Sequence, residues 1–183
     1  MKVSFELSPR DMRYFRERLM HARGSAGAHD EATVVALTKR LIDEAVATNP
    51  PEFVLERLSK LGQLTEMLQD DEWRLVGRDR TRILDALTYF ADPDDLIPDR
   101  VPGLGYLDDA IMIELVAEEL KHDFKAYEDF RAFRMAQPKT DLEQKLESRR
   151  ESLQARMRRR RRRERESVRG RSGRPSRSPE RLW

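Results

Sequence analysis

The run Ala110-Ile111-Met112-Ile113-Glu114-Leu115-Val116-Ala117 is apolar at every position but Glu114. A helix that is hydrophobic almost all round belongs in the centre of a bundle, not on its surface. Its surroundings have the complementary pattern. Met12, Phe15 and Leu19 follow a Ser8-Pro9 start with Asp11 at the positive end of the dipole. Val34, Leu37, Leu41 and Ala45 lie in phase between His29 and Thr48, and Asn49-Pro50-Pro51 ends that helix and opens the next. Val54, Leu58, Leu61, Thr65 and Leu68 mark the buried side of a third helix running to about Gln69. Val76, Ile83, Leu87 and Phe90 mark a fourth between Trp73 and Phe90. The central helix runs from Leu107 to about Met135, and its aromatics Phe124, Tyr127, Phe130 and Phe133 are expected to pack on the first two helices, with a partner-binding groove as the alternative. Met1–Leu7 alternates but has no partner strand, so residues 1–7 read as an extended arm. The class is all-α, a compact bundle of about five helices over residues 8–136.

The chain of 183 residues has 36 Lys and Arg, 34 Asp and Glu, and a formal charge of +2. That sum hides a division near residue 155. Residues 156–183 hold 13 arginines against 3 glutamates, a net of +10, while residues 1–155 hold 23 basic and 31 acidic groups, a net of −8. The basic segment has too few apolar side chains to offset its ordering entropy, so residues 158–183 are expected to be an arginine-rich tail that is disordered or at most transiently helical, although a helix candidate runs from Asp141 to Arg165. Residues 137–157 are expected to be a charged helical extension. Its stripe of Leu142, Leu146, Leu153 and Met157 is interrupted by Arg149 and too short for a coiled coil, which reads as a solvated helix fraying into the tail. With no cysteine, disulfide scaffolds, thiolate zinc sites and cysteine nucleophiles are excluded. No stretch approaches the roughly 18 uninterrupted apolar residues of a spanning helix, and Met1–Glu6 lacks the apolar run of a signal peptide.

Between the fourth and central helices lies Asp92-Pro93-Asp94-Asp95-Leu96-Ile97-Pro98-Asp99-Arg100-Val101-Pro102-Gly103-Leu104-Gly105-Tyr106-Leu107-Asp108-Asp109. Pro93, Pro98 and Pro102 forbid a continuous helix, and Gly103 and Gly105 permit close backbone approach. The carboxylates admit two readings. Asp95, Asp99, Asp108 and Asp109 could hold Mg²⁺, Ca²⁺ or Mn²⁺ through oxygen ligands and support metal-assisted chemistry. Alternatively they cap turns and the start of the next helix, with Arg78, Arg80, Arg82 or Arg100 as neutralising partners. The spacing is not that of an EF-hand. His21, His29 and His122 form no metal-binding pair, and no G-x-S-x-G, Walker or dinucleotide glycine pattern is present.

The string Pro93-Asp94-Asp95-Leu96-Ile97-Pro98-Asp99, followed by Gly105-Tyr106-Leu107-Asp108-Asp109, resembles the YkvA family, bacterial helical domains without an established function. The resemblance runs from Ile83 to about Leu120 and implies an all-α domain, with Pro93, Asp95, Asp99, Pro102, Gly105, Asp108 and Asp109 as motif-loop candidates. It implies no catalytic residue and no cofactor. Many members look membrane-associated because the helix after the Asp pair is very apolar; here Glu114, Glu118, Glu119, Lys121 and His122 interrupt it.

In the tail, Arg158, Arg159, Arg160, Arg161, Arg162 and Arg163 are consecutive. Guanidinium groups grip phosphates with forked hydrogen bonds and release counterions, which suits nucleic acid, another polyanion or an anionic lipid surface. The expectation is a cytoplasmic, non-enzymatic interaction module with a protein partner or a polyanion bound through the tail. Peripheral membrane contact and a metal-dependent enzyme built on the Asp cluster stand as the alternatives.

Overall fold

The computed structural model describes residues 8–24, 30–91, 106–137 and 142–172. Among them are seven α-helices and one 3₁₀ turn, with no strand. They are α1 (Pro9–Gly24), α2 (Glu31–Ala47), α3 (Glu52–Gln69), α4 (Gly77–Thr88), the 3₁₀ turn Tyr89–Ala91, α5 (Leu107–Glu119), α6 (Lys121–Ala136) and α7 (Leu142–Ser172). The chain divides into two compact units, Met1–Phe124 and Lys125–Trp183. The expected arm, residues 1–7, lies outside the described residues.

In the first unit α5 packs against α3 and α1, and α2 packs against α3, α4 and the 3₁₀ turn. The apolar run of α5 is central as its composition requires. Ala110, Met112, Ile113, Val116 and Ala117 are buried, and only Glu114, Glu118 and Glu119 form an exposed line. Glu114 uses that exposure to meet α3, where Lys60 Nζ lies 3.0 Å and Arg57 Nε 3.4 Å from its carboxylate. On α3 itself Val54, Leu58, Leu61, Thr65 and Leu68 are all buried, as their phase predicts. Burying one such Leu contributes about 1.5–3 kcal/mol. On α2, Thr38 joins the core because its hydroxyl donates to the Val34 carbonyl at 2.8 Å, which removes the cost of hiding a polar group. Asp30 caps α2 by accepting from the Thr33 amide at 2.7 Å.

Two boundaries differ from the sequence reading. The fourth helix begins at Gly77, not Trp73. The Asp70 carboxylate accepts from the amides of Glu72 (3.0 Å) and Trp73 (2.9 Å), closing a turn before the helix can start. Arg74 (φ 48°) and Gly77 (φ 55°) then adopt left-handed backbone. Trp73 is therefore a core residue from a turn, and Val76, expected in the core, is 64% exposed. The central helix is also broken at Leu120, where φ −100° and ψ 12° depart from helical values. The amide of Asp123 turns back to the Leu120 carbonyl at 2.8 Å and starts α6.

One side chain ties the start of α4 to its neighbours. The Arg80 guanidinium forks onto Glu31 in the first turn of α2, with Nε 2.9 Å from one oxygen and Nη2 closer still to the other. Its Nη1 donates to the carbonyls of Leu68 (3.0 Å) near the end of α3 and Leu75 (3.3 Å) in the turn. The group is about one third exposed, so solvent weakens the ionic part, but the two carbonyls have geometry only a planar fork can meet.

In the second unit α7 runs for 31 residues, about 46 Å at the usual helical rise. The stripe expected to be solvated is packed: Leu146, Leu153 and Met157 are 4%, 0% and 1% exposed. The helix also continues through the arginines to Ser172, past Arg165, where the helix candidate of the sequence ends, so residues 158–172 are helical and not disordered. Arginine is a strong helix former, no Gly or Pro occurs between Leu142 and Val168, and Arg162 pairs with Glu166 one turn on at 2.8 Å. Residues 173–183 lie outside the described residues.

Replacing Arg80 by Met should lower the unfolding free energy by about 1–3 kcal/mol, and Arg80→Lys should recover only part of that loss. Gly77→Ala should cost about 1–2 kcal/mol because Ala must take the left-handed conformation. Urea denaturation of the purified variants measures both.

Candidate functional site

Asp108 and Asp109 are the described members of the motif cluster. They occupy the first turn of α5 and are 3% and 5% exposed. Tyr106 precedes the helix without a side-chain cap. The first-turn amides of a helix have no partners inside it and form the positive end of its dipole, so carboxylates are favoured there. The remaining candidates Pro93, Asp95, Asp99, Pro102 and Gly105 lie outside the described residues. Among the described residues, no three His, Cys, Asp or Glu side chains are grouped to hold a metal ion.

A wider pattern emerges from the starts of the helices. The third residues of α4, α5 and α6 are Asp79, Asp109 and Asp123, and all three are buried, at 8%, 5% and 0% exposed. An acidic side chain at the third helical position can reach back toward the amides that open the helix. The three thus share one position at the start of a helix. Asp79 and Asp123 were missed in the sequence because both fall inside the longer helices that periodicity suggests. The available signal was a carboxylate in phase with an apolar stripe, as Asp123 is with Leu120.

Of the arginines expected to neutralise the cluster, Arg80 forks onto Glu31. Arg82 donates to the Glu119 carbonyl at 2.6 Å and lies 3.8 Å from its carboxylate. That places a cation at the negative end of α5, while Asp108 and Asp109 stand at its positive end. Both ends of the central helix are thus electrostatically matched.

The second candidate site is basic. Arg158, Arg159, Arg160, Arg162 and Arg163 are exposed on α7, and Arg161 is half-buried. At about 100° per residue, six consecutive arginines point to every side of the helix. The Glu166 carboxylate raises the pKa of Arg162 by accepting its hydrogen bond. Toward the start of α7 an open groove of about 640 Å³ is lined by Phe133, Gln144, Lys145, Ser148, Arg149 and Ser152. Arg149 lies over the Phe133 ring, 5.3 Å from its centre. It was read in the sequence only as an interruption of the apolar stripe; instead its stem packs and its charge faces an aromatic ring.

Asp109→Ala and Asp123→Ala should each destabilise the fold by about 1 kcal/mol or more as the helix starts lose their carboxylates. Mg²⁺, Mn²⁺ and Ca²⁺ should leave the melting temperature of the unaltered protein unchanged. Saturable metal binding abolished by Asp95→Asn or Asp109→Asn, with the fold intact, would overturn this reading.

Residues 80–115 match a family described as a protein of unknown function, DUF1232. The chain is also 33% identical over 72 residues to a Bacillus subtilis (strain 168) protein named "Uncharacterized membrane protein YkvA". That match takes in 36% of this chain and 66% of the relative. No solved structure matches the chain. The matched segment opens at Arg80, spans the motif loop and closes within α5, and by that segment the chain is YkvA-like.

Proposed function

We propose that this protein is a non-enzymatic interaction module that binds polyanions through the arginine-rich half of α7. The observation that carries the reading is the exposure of Arg158, Arg159, Arg160, Arg162 and Arg163 on a helix, which spreads guanidinium groups around a rod. Each can fork onto a phosphate, and each phosphate neutralised releases condensed counterions. The α1–α5 bundle supplies the compact body, with Asp79, Asp108, Asp109 and Asp123 buried near helix starts. A cytoplasmic setting belongs to the same proposal, since phosphate polymers and anionic lipid headgroups are both available there. Peripheral membrane contact is the second reading, favoured by the name of the Bacillus subtilis relative. Among the described residues, no helix of this chain is long and apolar enough to cross a membrane.

Replacing Arg158 to Arg163 by Gln in the full chain should remove most binding to generic RNA and DNA, measured by fluorescence anisotropy. For the unaltered protein, log affinity against log salt should fall with a slope of about −4 on single strands and about −5 on duplex if six phosphates are contacted. Affinity that survives the replacement, or that ignores salt, would refute the reading.

A further inference from the structure

We infer that the polyanion is a nucleic acid, and that one strand of its backbone follows the face of α7 that begins in the groove beside Phe133. This rests on the polyanion reading above and extends it in two respects, the class of the ligand and the site that receives it.

The class follows from charge per length. Residues 156–172 carry ten arginines against two glutamates, a net of +8. As helix they extend about 25 Å, or about one net charge every 3 Å. A nucleic-acid strand carries one negative charge per roughly 3.4 Å of duplex axis. The two densities are of the same order, so the phosphates that flank the helix on its several sides can neutralise it along its length. A lipid surface fits less well for two reasons. The arginines surround the helix, and a plane can meet only one side of it. An interfacial helix also needs an apolar face to lower into the lipid; here the apolar stripe of Leu146, Leu153 and Met157 is already buried. A polymer with phosphates on two sides of a groove meets a helix charged all round.

The site follows from the register. Lys145, Arg149, Ser152, Arg156, Arg159 and Arg163 succeed one another at three- and four-residue steps, which places them on a single face. They span about 27 Å. The first three line the groove, where Ser148 and Ser152 add hydroxyl donors. Arg149 is set for this role. Its Nε is buried without a hydrogen-bond partner, and the guanidinium is stacked on Phe133 at 5.3 Å. A phosphate arriving in the groove meets an arginine already held in place by a ring beneath it, so the side chain loses less entropy on binding than a free one would. The groove thus begins the track that the arginines continue.

The test uses the full chain with three probes: a 20-nucleotide single-stranded RNA, a 20-base-pair duplex DNA, and vesicles of phosphatidylserine with phosphatidylcholine. Nucleic-acid binding should exceed vesicle binding at equal phosphate concentration. Lys145→Gln with Arg149→Gln should weaken nucleic-acid affinity about 5–20-fold and reduce the magnitude of the salt slope by about one to two. Lys145→Gln alone, at an exposed position, should weaken it about 2–5-fold with the melting temperature unchanged, which guards against misfolding of the double variant. Stronger binding to vesicles than to either nucleic acid would overturn the ligand class while leaving the polyanion reading intact. Loss of binding on replacing Arg158 to Arg163, with no effect of either groove substitution, would overturn the site alone. Failure of all three probes to bind would overturn both readings.

Discussion

The first unit depends on how Arg80 resolves a problem created by three chain ends. The start of α2, the end of α3 and the turn before α4 meet where backbone carbonyls have no helical partner and a carboxylate stands nearby. One guanidinium answers all three at once, through Glu31, Leu68 and Leu75. A lysine would satisfy one of these groups and leave the others to compete for water. With α2, α3 and α4 fixed at that corner, α4 leads into the 3₁₀ turn, and α5 enters the core against α3. The family-matched segment opens at this same arginine.

The fold was legible where burial is decided by periodicity. Every apolar position named for α3 is buried, and the run from Ala110 to Ala117 is central. Legibility failed where a side chain, not a pattern, sets the backbone. Asp70 closes a turn that separates Trp73 from α4, and the bond from the Asp123 amide to Leu120 splits one apolar stretch into two helices. The break at Leu120 has no Gly or Pro to announce it, and at the start of α4 the glycine, Gly77, stands four residues after Trp73. Asp108 and Asp109 were recognisable as a helix start. That Asp79 and Asp123 stand buried at the same helical position as Asp109 was not, because each of those residues fell inside a helix drawn too long.

In the basic segment, composition and helix propensity point in opposite directions. Composition argues that arginine-rich chain cannot bury enough surface to order itself. Here it has no need to, because it continues a helix already nucleated and packed. Leu146, Leu153 and Met157 fix the first half of α7, and adding residues to an existing helix avoids the cost of starting one. Helix propensity then suffices for a stretch without an apolar face. Arg149, interrupting the stripe in the sequence, has its charge accommodated by Phe133.

The length of α7 has a consequence for its own order. Its acidic residues Glu143, Glu147 and Glu151 lie near its start and its arginines toward its end, which agrees with the helix dipole. Within the arginine half, however, Arg158 and Arg162, Arg159 and Arg163, and Arg161 and Arg165 stand one turn apart and repel. A phosphate placed between two such residues turns that repulsion into a bridge. The bound polymer would then act as an external set of counter-charges that holds the rod straight, so the ligand and the last turns of the helix stabilise each other. On the proposed reading, structure and recognition in this half of the molecule form a single equilibrium.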